Sequence, residues 1–175
     1  ILKQLSNKIR PFLPLLIQYQ DFLSDIDVVA AKAKYANKIN GILPTITEDR
    51  RLFFRDAFHP ILFLSNLEKK EKTFPQTIEL NPESRIIVIS GPNAGGKSIT
   101  LKTIGLFQIM IQSGVLIPAN PNSVIGRFDK VMIDIGDAQS IENELSTYSS
   151  KLQKMNFFLN ETDDRSLVLI DEFGS

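Results

Sequence analysis

Ser90–Thr100 reads SGPNAGGKSIT and follows directly on the apolar run IIVI, Ile86–Ile89. Gly91, Gly96, Lys97 and Ser98 satisfy the spacing G-x-x-x-x-G-K-[ST]. A loop of this kind wraps a phosphate with its backbone N–H groups, and side chains would obstruct that approach. Gly91, Gly95 and Gly96 remove them, while Pro92, Asn93 and Ala94 complete the loop. The helix that follows aims its positive N-terminal end at the same anion. Lys97 is expected to reach the β- and γ-phosphates and Ser98 to ligate Mg2+. A strand before the loop and a helix after it are what this mechanism requires.

The surrounding sequence supplies that context. Apolar residues at helical spacing run from Lys97 to about Gln112, with Gly114 as a C-terminal stop. RIIVIS, Arg85–Ser90, is a short apolar run without alternation, which suits a central parallel strand covered on both faces. Downstream, VLIPA, VIGRFDKVMIDIG and SLVLIDE read as further strands. STYSSKLQKMNFFLNE reads as a helix with Tyr148, Leu152, Met155 and Leu159 on one face and Ser146 as its N-cap. Upstream, RRLFFRDAFHPIL and TFPQTIEL are strand-like and NPES is a turn. Residues 1–40 read as helical, with a break at Pro11 and Pro14 and a second segment from Asp25 that stops at Asn40-Gly41. Helices and buried strands alternate, so the expected class is α/β.

Composition narrows the partners. Lys+Arg and Asp+Glu both number 20, so no basic excess is present and this piece alone is not expected to grip DNA strongly. Cysteine is absent, which excludes a disulfide framework, a thiolate zinc site and a cysteine nucleophile. No apolar stretch approaches the roughly 18 residues of a membrane span. ILKQLSNKIRPFL lacks the continuous apolar core of a signal peptide. The chain begins without Met and ends at IDEFGS; the expectation is a fragment of a longer protein, cytoplasmic by these signs.

The second half of a nucleotide site is LVLIDE, where four apolar residues deliver Asp171 and Glu172 to a strand end. Asp171 is placed to hold Mg2+, and Glu172 to orient and deprotonate an attacking water. An adjacent Asp-Glu at this point resembles the ABC-type P-loop ATPases. The LSGGQ-like signature of the transporter branch is absent. In its place stands IGDAQSIENELSTYSSKL. With GPNAGGKSITLKTIGL and LVLIDEFGS, this resembles the MutS family of DNA-repair ATPases, in which a GPN-x-GGKS loop, an S-T-[FY] element and a DE[FL]G strand end follow in order. IGD-x-QSIE and LST-[FY]-S are closer to the second bacterial MutS paralogue, which usually carries a C-terminal Smr nuclease domain. The resemblance is dense from Ser90 to Ser175 and loose before Asp25.

The resemblance implies an ABC-type P-loop ATPase domain, incomplete at its C-terminus, over residues 44–175. Residues 1–43 would be a helical lever or connector. It implies ATP and Mg2+ as ligands, with Glu172, Lys97 and Ser146 as catalytic residues. It also implies a homodimer in which Ser146 contacts the γ-phosphate held by the other subunit. Asn93 matches the asparagine of the GPN loop and would position phosphate or water. Phe74 falls in the segment that borders adenine and is either a stacking platform or a core residue. Asp137 and Gln139 are supporting polar candidates. The family's RHP is FHP here; Phe58 replaces the arginine, whose role is not carried over, and His59 reads as structural. Tyr148 for Phe and Lys151 for His are further departures. DNA would be met by regions outside these residues, with branched or recombining DNA as the target, suppression of recombination as the role, and collided ribosomes as a further partner. Two other readings stay open: a nucleotide-gated dimeric scaffold with negligible turnover, and a mismatch-recognition MutS. The segment that in this family follows the two acids and reaches across the dimer is absent, so residues 1–175 alone are expected to hydrolyse ATP weakly or not at all.

Overall fold

In the computed structural model, residues 2–92, 95–136 and 144–172 are described, the side chains of 144–148 excepted. The N-terminal part is helical: α1 (Leu2–Ile9), a 3-10 turn (Arg10–Phe12) and α2 (Leu13–Ile39). The break expected at the two prolines is the 3-10 turn. Pro11 and Pro14 each sit near the start of their own element, where a missing N–H costs nothing. From Leu13 the helix runs unbroken, so the second segment expected from Asp25 is the continuation of the first. Nothing between Tyr19 and Asn40 breaks it, and the alanines of AAKAKYA favour it. Asn40 ends it in the left-handed region, φ 51, as the Asn-Gly pair foretold. Leu5, Ile9, Phe12, Leu16, Tyr19, Phe22 and Leu23 of this arm are exposed. Burial begins only at its last turns, with Ala36 and Ile39.

A four-stranded sheet follows, in the order β1 (Thr45–Thr47), β4 (Val124–Gly126), β2 (Leu52–Ala57), β3 (Gln76–Leu80). β1 and β4 are parallel, and the other two pairs antiparallel. A second sheet joins β5 (Lys130–Asp134) to β6 (Ser166–Ile170), parallel, with Asp134 opposite Ile170. Three helices complete the fold: α3 (Pro60–Lys69), α4 (Lys97–Gln112) and α5 (Glu144–Glu161). The class is mixed α/β.

α4 holds the two sheets together. Phe107 is fully buried and meets Phe54 of β2 edge to face, ring centroids 5.1 Å apart. Removing such a ring costs about 3–5 kcal/mol. The buried amide of Gln108 donates to the Gly126 carbonyl of β4 at 3.3 Å. On the other sheet, a Cβ placed on Gly105 would lie 3.0 Å from Leu169 of β6 and 3.3 Å from Ile133 of β5. Glycine there lets α4 lie directly on the β5–β6 pair. Ile39, Ile78, Ile104, Ile117, Ile125, Phe128 and Leu167 fill out the same core.

Three elements differ from the sequence reading. VLIPA, residues 115–119, forms no strand; only Ile117 makes an isolated antiparallel bridge, to Ile42. RIIVIS is no strand: Arg85–Ser90 has no regular structure, and Ile86 and Val88 are 82% and 84% exposed. β-branched residues favour a strand only where a ladder receives them, and this run has no partner strand among the described residues. Conversely, RRLFFRDAFHPIL is not one strand-like stretch. β2 ends at Ala57, and Pro60 opens α3 as its first residue, where its fixed φ suits a helix start.

Candidate functional site

The loop is shaped at its glycines. Gly91 has φ 152 and Gly96 has φ 84, values that a side chain would strain. Gly96 is the N-cap of α4, so the first helical residue is Lys97. Within the loop the Gly95 N–H donates to the Pro92 carbonyl at 2.8 Å. Lys97 lies back across it, its Nζ donating to the Gly91 carbonyl at 2.5 Å. Both ends of the loop are thereby tied by the residue expected to meet phosphate. Ser98 is half-buried in the first turn of α4. Asn93 and Ala94 lie outside the described residues, as do Asp137 and Gln139.

Gln76, which the sequence reading passed over, borders the same place. Its Nε2 lies 3.7 Å from where a Cβ on Gly96 would stand, and its Oε1 is buried with no hydrogen-bond partner among the described residues. Nothing in TFPQTIEL marks it out; only the fold brings the start of β3 to the start of α4. Phe74, two residues earlier, is 72% exposed, with the Lys72 ammonium 5.1 Å from its ring centre. It is therefore not a core residue, and of the two readings the accessible ring remains.

The acidic pair sits at the end of β6. The Asp171 N–H donates to the Asp134 carbonyl at 2.9 Å, which carries the β5–β6 ladder one step beyond the strands. Asp171 Oδ1 accepts from the Glu172 N–H at 3.1 Å. Glu172 has φ 53, a left-handed turn that swings the chain out of the strand direction. α5 touches the same end: Lys151 Nζ donates to the Glu172 carbonyl at 2.7 Å, and Lys154 Nζ meets Asp134 Oδ1 at 2.8 Å. At the opposite end of this pair of strands, Asp163 accepts from Ser166 and Arg165 and is bridged by Lys130 of β5. The Ser166 hydroxyl first, then Lys130 and the Arg165 amide, bring its carboxyl down to about 2. Both ends of the β5–β6 unit are thus closed by charge-assisted hydrogen bonds.

Ser146 lies inside the first turn of α5, which begins at Glu144, and is not its N-cap. Glu144 and Leu145 are good helix formers and extend the helix past the serine. The Ser146 side chain lies outside the described residues.

His59 is the N-cap of α3, its Nδ1 accepting from the Leu62 N–H at 3.4 Å. Histidine is an unusual cap, which is why the start of α3 was not legible. Burial first, then the charge of Lys102, lowers its pKa below the ordinary 6.5. The folded state thus favours the neutral ring, and only the neutral ring can accept at Nδ1. Its contribution to stability is present above pH 6.5 and is lost as pH falls through the lower folded pKa. His59→Asn keeps a capping acceptor that does not titrate. Thermal melts from pH 7.5 to 5 should therefore fall less steeply for His59→Asn than for the wild type; parallel curves would show that His59 plays no such part.

The ligands implied by the resemblance fit these residues. Glycines at positive φ clear a cradle at the start of a helix, and a lysine spans it. Ser98 and Asp171 are the residues that the resemblance would make ligands of Mg2+. Among the described residues no group of three or more His, Cys, Asp or Glu could hold a metal ion.

Comparison with known proteins adds an independent finding. Residues 87–175 match MutS domain V. The chain is 40% identical over 175 residues to Endonuclease MutS2 of Levilactobacillus brevis, covering all of this chain and 22% of the relative. Endonuclease MutS2 of Finegoldia magna is 41% identical over the same spans. That of Staphylococcus haemolyticus is 44% identical over 156 residues, 89% of this chain and 19% of the relative. The chain thus spans about a fifth of the length of the curated relatives it matches.

Proposed function

Because this chain belongs to the MutS family and is of the MutS2 type, we propose that it is the nucleotide-hydrolysing segment of an ATP-driven dimeric clamp. One observation carries the reading. The glycine loop opens α4, and the body of α4 lies against the very strand, β6, that ends in Asp171-Glu172. Phosphate cradle and acidic pair are thus built on contacting elements, which supports an ABC-type P-loop ATPase although Arg85–Ser90 before the loop forms no strand.

In this reading the loop amides and the N-terminus of α4 bind the phosphates, and Lys97 leaves the Gly91 carbonyl to neutralise the β- and γ-oxygens. Phe74 offers its exposed ring to adenine. Ser98 and Asp171 hold Mg2+, which supplies charge neutralisation on the transferring phosphoryl group. Glu172 orients the attacking water and takes its proton as the water oxygen bonds to the γ-phosphorus and ADP departs. Ser146 completes the site of the partner copy. The long arm α1–α2 transmits the motion: its apolar side chains are exposed along most of its length, and it joins the ATP-binding body only at its end.

The setting is a cytoplasmic DNA-binding protein acting on branched or recombining DNA to suppress recombination, with collided ribosomes as a second target. DNA and ribosome contacts, and any nuclease activity, belong to regions beyond this chain. Among the described residues no helix is long and apolar enough to cross a membrane. The relatives' shared name, MutS2, favours this branch over a mismatch-recognition MutS.

A mixing experiment tests the shared site. Full-length Lys97→Ala and Ser146→Ala proteins should each hydrolyse ATP at a small fraction of the wild-type rate. A mixture forms heterodimers with one intact composite site, so activity should return to roughly a quarter of wild type, by statistical pairing of subunits each contributing one site. No recovery, with heterodimers demonstrably present, would place Ser146 in its own subunit's site or in none.

A further inference from the structure

We propose that Lys151 and Lys154 form a two-point clasp through which α5 positions the carboxylate of Glu172. The proposal rests on the ATPase reading above and names a device within that site. Lys151 and Lys154 are three residues apart and so share one helix face. Each reaches the end of a different strand: Lys151 the Glu172 carbonyl at the end of β6, Lys154 the Asp134 carboxylate at the end of β5. The two targets are themselves joined, because the Asp171 N–H donates to the Asp134 carbonyl. The Asp134 side chain is only 13% exposed, so its pairing with Lys154 is sheltered from water.

Glu172 shows why a clasp is needed. A glutamate at φ 53 is not in a conformation it adopts by preference. Such a backbone persists only where neighbours hold it from more than one side. Asp171 Oδ1 holds the Glu172 N–H, and the Lys151 ammonium holds its carbonyl through a charge-assisted bond. The direction in which the Glu172 side chain leaves the backbone is therefore set by a residue of another element. That element also carries Ser146, five residues earlier and about 7.5 Å along the helix axis. A shift of α5 when Ser146 engages a partner's nucleotide would pass through Lys151 to Glu172. Hydrolysis would then answer to the closure of the dimer.

The test uses the full-length protein with Lys151→Met, Lys151→Arg, Lys154→Met and Glu172→Gln. Three quantities are read: kcat for ATP, the Kd of a fluorescent ATP analogue, and Tm. Lys151→Met should lower kcat by about tenfold or more, as small misplacements of a catalytic group do, with Kd and Tm close to wild type. Lys151→Arg should restore most of the lost rate. If Lys151→Met does not fold, Lys154→Met carries the same test with the same expected split. Unchanged kcat, a parallel loss of kcat, affinity and Tm, or no rescue by arginine would overturn the clasp. If Glu172→Gln turns over like the wild type, the ATPase reading itself fails. If Glu172→Gln is inactive while Lys151→Met is fully active, only the clasp fails.

Discussion

Replacing Glu172 by glutamine in the full-length protein is expected to lower ATP turnover by about 100-fold or more while ATP binding and ATP-promoted dimerisation persist. Glutamine keeps the size and shape of the side chain and removes its basicity. The backbone ties at this position, from Asp171 Oδ1 to the N–H and from Lys151 to the carbonyl, do not depend on the carboxylate. The substitution therefore isolates proton transfer from positioning. In the proposed site nucleotide affinity rests on other groups: the loop amides, Lys97 and the α4 N-terminus. A carboxylate lost from beside the γ-phosphate removes one negative charge, so ATP should bind at least as well. Turnover and binding measured on the same preparations separate the readings. Equal, negligible turnover in both proteins with ATP-dependent dimerisation intact would sink the hydrolase and leave a nucleotide-gated scaffold.

The parts of the site that depend on neighbours in sequence were legible without a structure. The loop spacing, a helix from Lys97 to Gln112 and a strand through Leu169 to the acid pair all follow from local pattern. In each, the chemistry demands a residue type at a fixed offset, and the backbone obeys the same rule: φ 84 at Gly96 is what lets the loop turn directly into α4.

What was not legible depends on pairing across the chain. Arg85–Ser90 is the most strand-like run in the sequence, yet it stands outside both sheets. Apolar, β-branched composition states what a segment can do, and the ladder decides. Gln76 and Lys154 were invisible for a related reason. Neither lies in a motif, and each matters through what it touches some 20 residues away: Gly96 in one case, Asp134 in the other. Helix α3 escaped because its cap is a histidine, outside the usual Ser, Thr, Asp and Asn signals. Local pattern locates the helix and suggests Ser146 as its cap, but α5 already includes Glu144 and Leu145.

Gly126 is a position where the fold leaves no room, and Gly126→Ala is expected to destabilise the chain by about 3 kcal/mol, near the upper end of overpacking effects. The residue ends β4 and pairs with Thr47 of β1. Its N–H donates to the Arg51 carbonyl at 2.6 Å. A Cβ there would stand 2.3 Å from the Asp49 carbonyl oxygen, 2.9 Å from the Arg51 oxygen and 3.0 Å from the Arg51 nitrogen. All three are backbone atoms of the connection from β1 to β2, so no side-chain rotation relieves the clash. Either that connection lifts from β4 or β4 itself shifts. A shift of β4 carries with it the Gly126 carbonyl that accepts from buried Gln108 on α4. The consequence reaches the site, because α4 begins at the phosphate loop: nucleotide affinity should fall along with stability. Gly136→Ala is the control, since among the described residues nothing lies within 4 Å of its added Cβ, and surface changes of this kind stay within about 0.5 kcal/mol. Thermal melts should show Gly126→Ala lower by about 6–12 °C for a chain of this size and Gly136→Ala near wild type. Equal Tm values for the two variants would mean that the β1–β2 connection yields freely and does not clamp α4 through β4.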